Sequence, residues 1–214
     1  MLSFAEEIFL LALDDEAGTL RPISGLALGE ALVGAVLMDL ALMNRIDTDP
    51  KILRVVDGAP TGDAFLDAFL HKMQQAAGPH PISHWLAVLS GQAGRIQESV
   101  LSHLIGKGIL KQENRKILWV FEVRRYPMIN NREYKEVKSR LRELILSDDL
   151  PDPRDAVLIS LVNACRLFDV IFTAQELEKV RPRINQLSKL DLIGQEVARA
   201  VREIERAMVL PMML

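Results

Sequence analysis

Three histidines and one cysteine are the side chains in this sequence most suited to metal binding or nucleophilic chemistry: His71, His80, His84 and Cys165. Zinc sites usually add cysteines or place two histidines on one face of a helix, and Pro81 prevents a regular helix through His80. Cys165 is flanked by aliphatic residues at helical spacing, which is typical of a cysteine packed in a core. We therefore expect no metal site, no cofactor and no cysteine nucleophile.

Sequence motifs of the common enzyme classes are also missing. The chain contains no GxxxxGK[ST] phosphate loop, no GxGxxG after a strand, no GxSxG and no HExxH. The acidic cluster at Asp14, Asp15 and Glu16 follows a predicted helix, where carboxylates oppose the helix dipole, so we interpret it as an exposed turn. The sequence predicts a protein that is not an enzyme.

Charge is distributed unevenly along the chain. The segment 115–142 has nine basic residues against three glutamates, a net charge of +6, so the remainder must be −9 to give the total of −3. Such a polarised protein has one face suited to anions, and near an anionic bilayer each Lys or Arg contributes about 1 kcal/mol. The basic residues are Arg115, Lys116, Arg124, Arg125, Arg132, Lys135, Lys138, Arg140 and Arg142.

The same segment contains five consecutive apolar residues, 117–121, including Trp119. Only one face of an alternating strand can pack inward. The other face must then meet a partner, a subunit or lipid headgroups, where tryptophan is favoured. A strand buried on both faces beside solvated basic residues explains the pattern equally well, so both interpretations stay open at this point.

These residues are predicted to sit on a mostly α-helical single domain, 1–214, with one or two small β-hairpins. Leu, Ile, Val, Ala and Met dominate, and only 5% of residues are aromatic. Ser3 and Glu6 form a capping-box pattern at the first helix. The predicted helices are 3–14, 26–43, 63–75, 82–89, 95–107, 132–146, 152–172, 174–180 and 192–209. The predicted hairpins are 44–63, with its turn at 47–50 and a strand at 52–56, and 109–123.

One stretch, 23–43, is nearly apolar enough to span a membrane, but Glu30 and Asp39 interrupt it. We expect a buried core helix in a soluble protein. Glu6 and Glu7 stand where a signal peptide would carry basic residues, and one cysteine suits a reducing compartment. The sequence therefore predicts a cytoplasmic protein.

Two alternative functions remain compatible with the pattern. A winged-helix DNA-binding regulator would use 95–107 as its recognition helix, but Glu98 would repel phosphate and few groups could contact bases, so nucleic acid is not the favoured partner. A homo-oligomer formed through the hairpin, with no lipid role, would instead bury Trp119 in a subunit interface.

Several stretches, taken together, resemble the Golgi phosphoprotein family, the domain of phosphoinositide-binding Golgi coat adaptors. The most distinctive is "DGAPTGDAFLDAFL". The others, in family order, are "LSFAEEIFLLALDDEAG", "VGAVLMDLALMNRI", "WLAVLSG", "LIGKGIL" and "ILWVFEVRRYPMINN". The resemblance runs from about Leu2 to Val209.

The resemblance implies a compact helical domain without catalytic activity that binds phosphatidylinositol 4-phosphate at a membrane surface. It further implies protein-tail cargo, self-association or membrane contact through the hairpin, and, in a eukaryote, the cytosolic face of the Golgi. The hairpin contacts would be Ile117, Leu118, Trp119 and Phe121. The candidate lipid-headgroup residues are Arg95, Arg21, Arg124 and Arg125.

The family's headgroup residues are not all present. Its tryptophan and arginine at the second helix fall near Ser24 and Val33, and two further arginines fall near Gly94 and Gln97. These departures predict a bacterial-type member. They also favour binding to anionic lipid in general, through a basic face and an apolar hairpin.

Overall fold

The computed structural model describes residues 1–15, 17–49, 52–76, 78–117 and 121–209, with side chains throughout except at 115–123 and 204–209. These residues form a mostly α-helical fold with two small antiparallel sheets, as predicted. The helices are α1 Phe4–Ala12, α2 Gly25–Leu42, α3 Ala64–Gln74, α4 Ile82–Ser90, α5 Ala93–Gly106, α6 Arg132–Leu146, α7 Pro153–Ala164, α8 Ala174–Leu187 and α9 Leu192–Val209. The strands are β1 Ile46–Thr48, β2 Leu53–Val55, β3 Glu113–Ile117 and β4 Phe121–Arg125.

Helix α2 is the centre of the fold and packs against α1, α4, α5, α7 and α9. It is apolar on all sides and mostly buried, which is the pattern of a core helix. A methyl group on Gly34 would overlap Val197, so this glycine allows α2 and α9 to approach closely. Among the described residues, α2 is long and apolar enough to span a membrane, but its burial among five helices agrees with the predicted core role.

Polar side chains define where the helices begin. The Ser3 and Glu6 side chains each accept a hydrogen bond from the other's backbone N–H, which confirms the capping box. Asp63 caps α3, and Asp152 caps α7 with Pro153 in the first turn. These contacts satisfy N–H groups that have no partner within their own helix.

Two predicted helices have different lengths in the structure. The prediction of one helix over 152–172 is wrong, because α7 ends at Ala164 and Arg166 adopts a left-handed conformation with φ of 58°. A short 3₁₀ turn, Leu167–Val170, follows. Helix α8 continues past Pro182 to Leu187, because Ile184 and Leu187 are buried and hold the last turns against the core.

The second hairpin also differs from its prediction. Ile109 and Leu110 are buried below it and are not part of β3, which begins at Glu113. Strand β4 reaches Arg125, two residues further than expected. The strands therefore lie farther along the chain, and the apolar residues before them anchor the hairpin to the core.

Candidate functional site

The candidate site is the hairpin formed by β3 and β4. The two strands pair in antiparallel register from Glu113 opposite Arg125 to Ile117 opposite Phe121. Their main contacts are with each other, and neither packs extensively on a described helix. The hairpin therefore projects from the helical body.

Backbone hydrogen bonds fix the root of this hairpin. Lys111 N–H donates to Pro127 O at 3.1 Å, and Tyr126 N–H donates to Gly18 O at 2.7 Å. Gly18 has a φ of +64°, and a Cβ there would overlap the backbone of Pro127. The loop after α1 thus supports the hairpin through a contact that only glycine permits without strain.

Arg124 and Arg125, which we predicted to bind lipid together, differ in their surroundings. Successive strand residues point to opposite faces. Arg124 is exposed, whereas Arg125 is half-buried and its Nε has no hydrogen-bond partner. Arg124 is therefore the better placed of the two for an external anion.

Of the four predicted apolar contacts, the structure describes the backbone of two. Ile117 is the last residue of β3 and is paired in the backbone register with Phe121, the first residue of β4. Leu118 and Trp119 lie outside the described residues. Their roles stay predictions.

Not all of the basic residues in 115–142 are free to meet an external anion. Arg140 pairs with Glu7 at 2.9 Å and with Asp155 at 3.0 Å. Arg142 pairs with Glu176, and its guanidinium hydrogen bond holds the pKa of that carboxyl at about 2. Two of the nine cations therefore stabilise the fold, and the net charge of +6 overstates the external charge of this face.

Among the residues of this segment whose side chains are described, three cations are exposed: Arg124 at the end of β4, Arg132 at the start of α6, and Lys135 one turn later. We call these three residues the basic surface. Lys138, further along α6, is half-buried, with its ammonium 5.0 Å from the centre of the Tyr134 ring. The exposed positive charge thus lies on the segment that leads from the hairpin into α6.

Arg21, another predicted headgroup residue, is held by neighbouring groups. Its Nε donates to Leu13 O at 3.2 Å, and it forms an ion pair with Asp15 at 3.5 Å. It also donates to the Tyr134 hydroxyl at 3.5 Å. Its positive charge is partly neutralised by Asp15, so it is a weaker candidate than the basic surface.

Arg95 is exposed in the first turn of α5. At the two positions on the second helix, Ser24 caps α2 through the Ala27 N–H, and Val33 is completely buried in the core. Two of the family's four headgroup positions therefore have structural roles here. Neither Ser24 nor Val33 supplies a cation for a phosphate monoester, which prefers several converging cations.

Helix α5, the recognition helix of the winged-helix alternative, faces the core. Ile96, Val100 and Leu104 are buried, and α5 packs on α1 and α2. Lys107, the last residue of the predicted recognition helix, is paired with Glu6. This packing leaves few groups on α5 for base or phosphate contacts.

Sequence reasoning missed a buried ionic network at the N-terminus. Glu6 and Glu7 are only 1% and 2% exposed. Lys107 pairs with Glu6 at 2.6 Å, and Arg140 and Arg154 pair with Glu7 at 2.9 and 3.3 Å. The signal was the adjacent glutamates in an otherwise apolar helix, which we interpreted only as an argument against a signal peptide.

Asp39 is buried in α2 near this network. Burial raises the pKa of its carboxyl to about 7, although Phe4 N–H donates to Asp39 Oδ1 at 3.4 Å and Arg154 lowers the pKa. It lies in the helical core and not at the hairpin. Its ionisation therefore bears on stability.

Cys165 lies in the core, whereas His71 and His84 are exposed and His80 is half-buried. The rings of His80 and His84 stack with their centres 4.1 Å apart, so their in-plane nitrogens do not converge on a shared ion. Cys165 is buried, and burial raises the pKa of its thiol to about 12. Within the described part of the chain, no three His, Cys, Asp or Glu side chains are grouped to hold a metal.

Comparison with known proteins identifies the family. The family model described as "Golgi phosphoprotein 3 (GPP34)" matches residues 4–204. The chain belongs to this family. The match covers every helix from α1 to α8 and most of α9. Golgi phosphoprotein 3-like proteins are Golgi-associated, of the adaptor type, and not known as enzymes.

Two curated relatives carry the name VPS74. The chain is 28% identical over 166 residues to "Vacuolar protein sorting-associated protein 74" of Eremothecium gossypii, covering 68% of this chain and 49% of that protein. It is 24% identical over 200 residues to a VPS74-like protein of Dictyostelium discoideum, covering 86% of this chain and 76% of that protein. The match thus spans about half the length of the first relative. Neither relative is bacterial, so they do not support the predicted bacterial type.

Proposed function

We propose that this member of the Golgi phosphoprotein 3 family is a non-enzymatic peripheral membrane protein that docks on anionic lipid through its β3–β4 hairpin. The observation that carries this proposal is the hairpin's position. It projects from the helical body, and exposed Arg124 lies near its root. Such a hairpin can place an apolar end among headgroups while cations meet phosphates.

The proposed contact combines charge and apolar burial. Arg124, Arg132 and Lys135 would attract the negative surface, and the residues between β3 and β4 in the sequence, which include Leu118 and Trp119, would enter the headgroup region. Each cation near an anionic surface contributes about 1 kcal/mol. Three such cations give weak, reversible attraction that depends on salt, and the apolar end supplies the remainder.

Phosphatidylinositol 4-phosphate is the specific ligand implied by the family resemblance, with the cytosolic face of the Golgi as the location. Arg95 would be the cation nearest to the family's headgroup position. Since Ser24 and Val33 replace the family's tryptophan and arginine, we infer that the basic surface contributes more binding free energy than a selective pocket. Cytosolic protein tails remain a proposed cargo.

Vesicle co-flotation at two salt concentrations tests the proposal. It compares neutral vesicles with vesicles of equal surface charge that contain phosphatidylserine or phosphatidylinositol 4-phosphate. We expect salt-sensitive binding to both anionic vesicles, and a loss of most binding in Arg124→Glu/Arg132→Glu. No flotation with any vesicle would refute the membrane role, and strong preference for the phosphoinositide would locate the binding energy in a pocket.

The matched control is Arg54→Glu on β2. Arg54 is also an exposed strand arginine, but it belongs to the other hairpin, where it pairs with Asp47 at 2.6 Å. If binding depends on net charge alone, Arg54→Glu will weaken flotation by about half as much as Arg124→Glu/Arg132→Glu, which reverses two charges. We expect it to float like the wild type.

A further inference from the structure

A groove between α7, α8 and α9 is the strongest feature that the proposed membrane role does not use. It consists of two adjoining cavities of about 530 and about 400 Å³, and Asn163, Ala198 and Arg202 line both. None of the lining residues belongs to the hairpin or to the basic surface. The groove is therefore separate from the proposed lipid contact.

The lining of the groove is positively charged, although the complete chain is negatively charged. Its lining has five basic and two acidic residues, a net charge of +3, whereas the complete chain is −3. The basic residues are Arg166, Arg181, Lys189, Arg199 and Arg202, and the acidic ones are Asp169 and Glu196. Such a concave cationic surface favours an anionic ligand.

Existing ion pairs reduce this charge only in part. Arg181 pairs with Glu178 at 2.8 Å, and Arg199 pairs with Glu196 on the same helix. The Arg181 and Arg199 side chains are both exposed in these pairs, so a ligand carboxylate can share the two arginines at little cost. Arg202 forms no ion pair with the residues whose side chains the structure describes.

Arg166, one of the cations that line the groove, has a strained backbone conformation. Its φ of 58° lies in the left-handed region, at the end of a helix where glycine is the usual residue. Strained residues of this type cluster at binding sites. Its side chain is exposed and lines the larger cavity.

The floor beneath the arginines is apolar. Phe168, Ile184 and Val201 are buried, and Leu177 is half-buried beside them. Guanidinium groups from three elements thus surround an apolar base. This combination suits a ligand that carries carboxylates next to an aliphatic or aromatic side chain.

The shape of the groove indicates an extended ligand. Along α8 its lining runs from Leu177 to Ser188, at spacings of four, three, one and three residues, which follow one helix face. Eleven residues of helix span roughly 16 Å. An extended peptide covers that length with about five residues.

We propose that this groove binds a short acidic segment of a partner protein. The segment's carboxylates would pair with Arg166, Arg181 and Arg202, and one apolar side chain would rest on Phe168 and Val201. This surface is distinct from the hairpin, so one molecule can hold a membrane and an acidic partner together.

Fluorescence anisotropy tests the proposal without lipid. The probe is a fluorescein-labelled peptide of glutamates interrupted by two leucines, compared with the same peptide carrying lysines in place of glutamates. We expect saturable binding of the acidic peptide, at least about tenfold tighter than the lysine peptide and weakened by salt. Equal affinity for the two peptides, or no saturable binding, would overturn the proposal.

Charge-reversal variants locate the binding. Arg202→Glu and Arg181→Glu should each weaken the acidic peptide at least about fivefold. Lys179→Glu is the matched control, because it lies on α8 two residues from Arg181 and does not line the groove. Equal losses of peptide affinity in all three variants would show that the peptide is attracted by the charge of the whole molecule. That result would contradict binding in the groove.

Arg166→Gly separates binding from stability. Glycine removes the guanidinium and also relieves the left-handed strain. We expect weaker peptide binding together with a melting temperature equal to or above that of the wild type. Unchanged peptide affinity would remove Arg166 from the site. If Arg202→Glu reduced vesicle flotation while no peptide bound, the groove would be a lipid contact and the proposal would fail.

Discussion

The Lys107 ammonium lies 2.6 Å from the Glu6 carboxylate and joins residues that are 101 positions apart in the sequence. Glu6 is buried in the first turn of α1, and Lys107 lies just after α5, at the approach to the hairpin. The pair connects the start of the chain to the support of the candidate site. Its charges come from residues that sequence patterns alone would place on the surface.

Breaking this pair should destabilise the fold. Lys107→Met leaves Glu6 buried without its cation, and we expect the free energy of unfolding to fall by about 2–3 kcal/mol. The loss is smaller than for a fully buried ion pair because Lys107 is half-exposed. Glu6→Gln/Lys107→Met should recover part of that loss, since glutamine keeps the acceptor for Ser3 N–H. Urea unfolding measures both.

Lys111→Met is the control for this change. Lys111 pairs with Glu113 at 2.7 Å, and both side chains are exposed. We expect a change below about 0.5 kcal/mol. A similar loss in both lysine variants would show that burial of Glu6 does not determine the cost.

Asp39 should make stability depend on pH. Its pKa of about 7 in the folded protein lies above the ordinary value of 3.8. The folded state therefore binds this proton more tightly than the unfolded chain, and the contribution to stability falls as pH rises from about 4 to about 7. Above that range Asp39 is ionised, and the folded state bears the full free-energy cost of burying its charge.

Asp39→Asn should remove this dependence. Asparagine keeps an oxygen for the Phe4 N–H and is never charged, so we expect the variant to be more stable than the wild type at pH 8 and similar to it at pH 4. Thermal unfolding across that range measures the difference. Asp47→Asn on exposed β1 is the control, and a wild-type slope retained in Asp39→Asn would assign the dependence to other groups.

Gly18→Ala should disturb the hairpin root. The alanine would adopt a left-handed conformation and also overlap the Pro127 backbone, and we expect a loss of about 2–3 kcal/mol. Gly108→Ala is matched in backbone, with φ of +69°, but a Cβ there meets no atom within 4 Å. It should lose only about 1 kcal/mol. Equal losses would mean that the contact with Pro127 contributes nothing.

Trp119→Asp distinguishes lipid contact from self-association. If the hairpin forms an oligomer, the variant should elute later on size exclusion at micromolar protein. If the hairpin contacts lipid as a monomer, the elution volume should stay unchanged while vesicle flotation falls. A variant that floats and elutes like the wild type would exclude Trp119 from both roles.

The sequence predicted most of the helices because their starts carry local signals. Ser3 with Glu6 and Asp152 with Pro153 mark two of them. The break after Ala164 had no such signal, because Arg166 takes a conformation that sequence patterns assign to glycine or asparagine. Helix α8 was predicted to end at residue 180 but continues past Pro182, because burial of Leu187 outweighs the missing hydrogen-bond donor.

For the candidate site, the sequence located the hairpin and its basic neighbourhood but not the state of each charge. The sequence alone does not distinguish Arg140 from Arg124. The first is bound by Glu7 and Asp155, which are distant in sequence, and the second is exposed. Only the tertiary fold separates structural cations from those available to a ligand.

The charges in the projecting hairpin have one more consequence. A two-stranded sheet has two outer edges whose backbone groups are open to pairing with another chain, and such edges are sites of aggregation. The strands β3 and β4, "ENRKI" and "FEVRR", contain both positive and negative residues beside their apolar ones. These charges act as gatekeepers that discourage strand addition between molecules, so a neutralised hairpin would reduce the yield of dispersed protein even where the fold is intact.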